Sequence, residues 1–103
     1  FAGFSFGSFI AAWAAKRFKA KGLVTVAPSV SNMPYASLEG TTCKWLVVQG
    51  DSDDVVDCAA VQKYVAQSHN RISLHIMSGV GHFFHGNLIK LKQLIELHSS
   101  EWQ

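Results

Sequence analysis

The chain has 103 residues, 49% of them hydrophobic, and a formal net charge of +2 with its five histidines neutral. That length supports one domain with a modest core and is too short for two. So small a charge directs no field at nucleic acid or an anionic membrane, and no apolar run reaches the roughly 18–20 residues of a membrane span. No secretory leader pattern opens the chain, so the expectation is a soluble, cytoplasmic protein with no nucleic-acid or membrane partner. Cys43 and Cys58 lack CxxC or Cys/His spacing, which argues against a disulfide framework or a zinc site and for reduced thiols.

The first element to read is "GFSFGS", residues 3–8, one serine between two phenylalanines with glycines outside them. Glycines weaken both strands and helix interiors, so the stretch marks a sharp turn where backbones pass closely and one hydroxyl is presented. "SFIAAWAAKRFKAKG" follows as a helix, with Phe9, Ile10, Trp13 and Ala14 on one face and Ala11, Ala12 and Ala15 keeping the remainder slim. Its basic run, Lys16 to Lys21, falls at the helix end before Gly22, where cations complement the dipole.

"LVTVAP", Leu23 to Pro28, predicts a buried strand. A loop of small and polar residues follows, with one short helical turn near Tyr35. "KWLVVQG" is a second strand, apolar on both faces as in parallel sheets. "DCAAVQKYVAQS" is a helix with Asp57 as N-cap and Val61, Tyr64 and Val65 inward. "RISLHIM" is a third strand, and "GNLIKLKQLIELHSS" a last amphipathic helix with Leu88, Leu91, Leu94, Ile95 and His98 near one side. No repeat or low-complexity segment interrupts this rhythm. The alternation predicts a parallel sheet with helices on both faces.

In such a sheet, sites form outside the carboxyl ends of the strands. Ser5, the acidic cluster "DSDD" and His82 of "SGVGHFF" all fall there. Serine, acid and histidine in that order suit a nucleophile, an orienting carboxylate and a general base. Spacing alone does not separate Asp51, Asp53 and Asp54, and those not orienting the histidine would hold the turn through backbone hydrogen bonds. His69, His75 and His98 have ordinary structural explanations. His82 and His85 form an i, i+3 pair without a third nearby ligand, so no metal is expected, and His85 is read as supporting the loop or starting the last helix.

Together, "GFSFGS", "LVVQGDSDDVV" and "GVGHFFHG" resemble the serine α/β-hydrolases, specifically small, lidless, dienelactone-hydrolase-like hydrolases, over essentially the whole chain. The glycine-flanked serine is then the nucleophile elbow. The resemblance implies an eight-stranded, mostly parallel sheet, of which residues 1–103 would be the C-terminal portion of one domain: the elbow helix, the last three strands and their helices. Only Phe1 and Ala2 precede Gly3, so the strand feeding the elbow is expected to be cut off and the N-terminal strands to lie outside the chain. The resemblance assigns Ser5 as nucleophile, Asp53 as the acid and His82 as the base. The backbone N–H of Phe6 becomes one oxyanion donor, its partner coming from an earlier strand. Phe4, Met33, Tyr35 and Phe83 are candidates for a substrate pocket, with core positions as the alternative reading. Dienelactone hydrolases carry cysteine where this chain has Ser5, so their lactone substrate is not carried over.

The implied activity is hydrolysis of a small ester, thioester or related acyl substrate through an acyl-enzyme, with no cofactor. Acyl transfer by the same triad and a non-catalytic binding module on the same fold are the alternatives. The implied partners are a small acyl substrate and the N-terminal half of the same protein, with a homodimer also compatible.

Overall fold

A computed structural model describes residues 1–84 and 86–100. Four strands, β1 (Ala2–Phe4), β2 (Gly22–Val26), β3 (Lys44–Gly50) and β4 (Ile72–Met77), form one parallel sheet in the order β1-β2-β3-β4. The helices α1 (Phe6–Arg17), α2 (Cys58–Gln67) and α3 (Leu88–Ser99) connect or follow them, and a 3₁₀ turn spans Tyr35–Leu38 in the loop after β2. None of the helices among the described residues is long and apolar enough to cross a membrane. The fold class read from the sequence is the one observed. The strand expected to be missing is present, however: Ala2, Gly3 and Phe4 pair with Val24, Thr25 and Val26.

Alternation along β2 and β3 builds two cores. Leu23, Trp45 and Val47 point to one face, where they meet Ala12 and Ala15 of α1, Val61 of α2, and Tyr35 and Leu38. Val24, Val26, Leu46 and Val48 point to the other, against Val80, Phe84 and the Leu91, Leu94 and Ile95 side of α3. Strands clothed on both sides need continuous apolar runs, which explains why "LVVQG" does not alternate. Asp57 caps α2 as expected, accepting the Ala59 N–H at 3.1 Å. Leu88 departs from the expected α3 stripe and is exposed.

The buried face of α1 also differs from the periodicity reading. Ser8, Ala12 and Ala15 are buried, while Ile10 and Trp13 are 52% and 49% exposed, so of the expected large residues Phe9 alone packs on the core. The cause lies at Gly3, where a Cβ would stand 2.3 Å from the Gly7 carbonyl oxygen. So close an approach of strand to helix admits only small side chains and turns the large ones outward. Gly7 does not share this constraint, because a Cβ there would meet nothing within 4 Å. The basic run at the end of α1 does more than complement a dipole: Lys16 Nζ donates to the carbonyls of Ser37 (3.0 Å) and Glu39 (2.7 Å). Asn70, just before β4, accepts the N–H groups of Gly40 and Thr41 and donates to the Leu38 carbonyl. Both clamps lie at the amino-terminal rim of the sheet.

The two glycines of the elbow are therefore expected to respond oppositely to one methyl group. Gly3→Ala should lower unfolding free energy by about 1–3 kcal/mol or more through overpacking against backbone. Gly7→Ala should raise it by up to about 1 kcal/mol through helix propensity. Urea titration of the two variants measures both.

Candidate active site

The carboxyl-terminal rim carries the candidate residues Ser5, Asp53 and His82. Ser5 follows β1 directly and is the N-cap of α1, with φ 53° and ψ −119°. Positive φ in a residue with a Cβ costs about 1–3 kcal/mol and persists only where neighbours over-determine it. The sheet ladder supplies part of that constraint, since Ser5 N–H donates to the Val26 carbonyl at 2.8 Å. The next amide, Phe6 N–H, opens α1, where the helical ladder offers the first donors no acceptor. Among the described residues the Ser5 hydroxyl has no hydrogen-bond partner, so it is not bonded to His82.

Asp53 stands in the loop after β3 with its side chain fully buried. Oδ1 accepts the N–H groups of Val55 (2.8 Å) and Val56 (2.7 Å). Oδ2 accepts Gln49 Nε2 at 3.1 Å and lies 2.8 Å from His82 Nδ1. Burial pushes the carboxyl pKa up, but the hydrogen bonds from Val56, His82, Val55 and Gln49 outweigh it and hold the group below its ordinary 3.8. An ionised carboxylate is an acceptor only. His82 Nδ1 must therefore carry the hydrogen, which leaves Nε2 of a neutral ring with a lone pair.

His82 is fixed by its loop. Val80 and Phe84 on either side are buried in the second core, and the His82 side chain is only 4% exposed. The loop is drawn onto β3 at Gly50, where a Cβ would stand 2.1 Å from the Val80 carbonyl oxygen. That carbonyl accepts Ser52 N–H at 3.0 Å, and Asp51 Oδ1 accepts Gly79 N–H at 2.6 Å. Two rings flank the imidazole: Phe4 with its centroid at 5.0 Å and Phe83 edge-on at 5.0 Å. Both phenylalanines are substantially exposed. Phe4 immediately precedes Ser5, so its ring links the serine turn to the histidine loop.

The other sequence candidates sort as follows. Asp51 holds the histidine loop, Asp57 caps α2 and Asp54 is exposed, so of the aspartates Asp53 is the one bonded to His82. Tyr35 is 2% exposed in the first core, which corrects its placement in a substrate pocket, and Met33 packs half-buried against the same core. The large apolar side chains of that loop found a denser environment beneath the site than at its surface. His69 and His75 are exposed and His98 is half-buried on α3. His85 lies outside the described residues. Among the described residues no three His, Cys, Asp or Glu side chains gather as a metal ion would require.

Gln49 escaped the sequence reading. Wholly buried at the end of β3, it donates from Nε2 to Asp53, to the Gly50 carbonyl (3.0 Å) and to the Val56 carbonyl (3.4 Å). Its Oε1 has no donor among the described residues. Three acceptors converge on the nitrogen, which fixes the amide orientation, because the opposite one would set Oε1 against a carboxylate. The signal available in advance was a lone amide closing the apolar run "KWLVVQG".

No protein-family model and no curated protein matches the chain. Solved structures do. A homologue of α/β serine hydrolases from Coxiella burnetii superposes with a TM-score of 0.86 at 45% identity, covering 90% of this chain and 45% of its own. A lidless α/β serine hydrolase from Xanthomonas campestris superposes with a TM-score of 0.90 at 32% identity, covering 98% of this chain and 46% of its own. The chain thus spans about half the length of the structures it matches.

The depressed pKa of Asp53 has a pH signature. A group whose folded pKa lies below its unfolded value contributes stability that is present above the unfolded value and lost as pH falls through the folded one. The stability difference between the wild-type protein and Asp53→Asn is therefore expected to be constant near neutrality and to shrink below about pH 4. Urea unfolding of both across that range would show it, and a difference independent of pH would contradict it.

Proposed function

We propose that this chain, a member of the serine α/β-hydrolase superfamily, carries the catalytic triad of a hydrolase for small ester or thioester substrates, with Ser5 as nucleophile, His82 as general base and Asp53 as its orienting acid. The observation that carries the proposal is the buried Asp53–His82 hydrogen bond, which leaves Nε2 as the free base at the rim where Ser5 is held at positive φ. Apo hydrogen bonds of this kind commonly close only when substrate is bound, so the open contact to Ser5 is compatible with the role.

The chemistry runs in two halves. Ser5 Oγ attacks the acyl carbon while its proton passes to His82 Nε2, and Asp53 stabilises the imidazolium that forms. The negative charge on the former carbonyl oxygen is met by Phe6 N–H and by a second donor from outside this chain. When the bond to the leaving group breaks, His82 returns the proton to it and Ser5 holds the acyl group. Water then attacks the acyl carbon, gives its proton to His82, and the acid departs as Ser5 regains its hydrogen. Phe4 and Phe83, exposed beside the imidazole, offer an apolar wall for the acyl chain.

The second donor belongs to the other half of the domain. We propose that this half adds strands along β1, which has no neighbour on its outer edge among the described residues. The exposed stripe of Phe6, Ile10 and Trp13 on α1, and the half-length match to the solved hydrolases, support the same reading. The intact mass of the native gene product is then expected at roughly twice that of this chain, and a product no larger than the chain would refute this part.

The activity test uses the full-length protein and a fluorophosphonate probe. Labelling should occur at Ser5 and vanish in Ser5→Ala, and Asp53→Asn should lower turnover of a short-chain ester by about 10⁴-fold. A folded protein that no probe labels would instead indicate a binding module. Products made with an added alcohol in preference to water would indicate an acyltransferase.

A further inference from the structure

Two buried hydroxyls and one amide meet at a single carbonyl beneath the turn. The Ser5 carbonyl accepts Ser8 N–H at 3.0 Å, Ser8 Oγ at 2.5 Å and, more distantly, Ser29 Oγ at 3.4 Å. Ser8 Oγ also bonds to Tyr35 Oη. Ser8 is wholly buried and Tyr35 is 2% exposed, so these hydroxyls have no access to water. The Ser8 hydroxyl has one hydrogen and spends it on the Ser5 carbonyl, which makes Tyr35 the donor to Ser8. Burial, moderated by the hydrogen bonds of Ser8 and Ser29, pushes the Tyr35 pKa up to about 12, so the phenol keeps the proton it donates.

The Tyr35 ring itself is immobilised. Phe9 and Tyr64 meet it edge-on, each at 5.4 Å, and Tyr64 Oη donates to the Tyr35 carbonyl at 3.1 Å. The relay therefore runs from a rigid anchor in the core to the backbone of the strained turn.

What it orients follows from covalent geometry. The Ser5 carbonyl and the Phe6 N–H belong to one planar trans peptide and point in opposite directions. Pinning the oxygen downward aims the N–H outward. We infer that Tyr35 is a positioning residue which, through Ser8, fixes the peptide plane between Ser5 and Phe6 and so aims the oxyanion donor. This rests on the proposed hydrolase reading for its catalytic consequence, though the hydrogen-bond relay exists independently of it. Tyr35 thereby acquires a role different from the substrate contact expected of it: it acts from below the site and touches no substrate.

The test pairs two readouts on the full-length protein. Tyr35→Phe keeps the ring and removes the donor, and turnover of a short-chain ester should fall about fivefold to tenfold with KM nearly unchanged, the loss expected of one hydrogen bond felt in the transition state. Ser8→Ala should cost at least as much. Adding Tyr35→Phe to Ser8→Ala should cost clearly less than Tyr35→Phe costs alone, because the phenol acts chiefly through that hydroxyl, the longer contact of Ser29 being the minor route. Independently of activity, amide hydrogen exchange at Ser8 should quicken in Tyr35→Phe while exchange at Val47 and Val48 of β3 stays the same. Additive losses in the double variant, or unchanged exchange at Ser8, would overturn the relay. An unlabelled and inactive wild-type protein would overturn the hydrolase reading instead, and the exchange experiment would still decide the relay. Should Tyr35→Phe fold poorly, exchange and turnover in Ser8→Ala keep the question answerable, since Phe6 would lose its aim there as well.

Discussion

A single buried carboxylate organises the carboxyl-terminal rim of this molecule. Asp53 collects two backbone donors from its own loop, one from the strand before it and one from an imidazole 29 positions later in the chain. Withdrawing a charge from water carries a desolvation penalty of several kcal/mol unless hydrogen bonds replace the hydration. Here all the acceptor directions are filled, so the loop after β3 and the loop after β4 must adopt their observed shapes together. The approach of Val80 to Gly50 belongs to the same closure, since any side chain at position 50 would hold the two loops apart.

On the other side of the rim the constraint is steric before it is electrostatic. Gly3 lets β1 lie against the first turn of α1, and that contact dictates the small residues Ser8, Ala12 and Ala15 along the helix. The same contact brings the Ser8 hydroxyl under the Ser5 carbonyl. A sequence choice made for close packing thus also supplies hydrogen bonds that hold an unfavourable φ, which is how local strain is tolerated at a turn.

Much of this was legible in the residues. The strand runs, the turn at Tyr35, the Asp57 cap and the parallel order followed from pattern, because each rests on local chemistry that neighbours reinforce. Ser5 and His82 stood out as candidates through their glycines, and Asp53 through resemblance, since spacing left Asp51 and Asp54 equally eligible. The buried face of α1 was not, because size and hydrophobicity favoured Ile10 and Trp13 while the distance of helix from sheet favoured alanine. Tyr35 was legible as pocket lining or as core, and only the tertiary structure sets its hydroxyl against Ser8. Gln49 was silent for the same reason: its partner is four residues away in sequence but across a loop whose shape no local rule predicts.

The clamps of Lys16 and Asn70 sit at the opposite end of the strands from Ser5, Asp53 and His82. They tie the helix ends and the entry to β3 without sharing a partner with any reactive group, and distant, unshared sites combine additively. The amino-terminal rim can thus be hardened without disturbing the bonds that hold Asp53 and His82 at the other end of the strands.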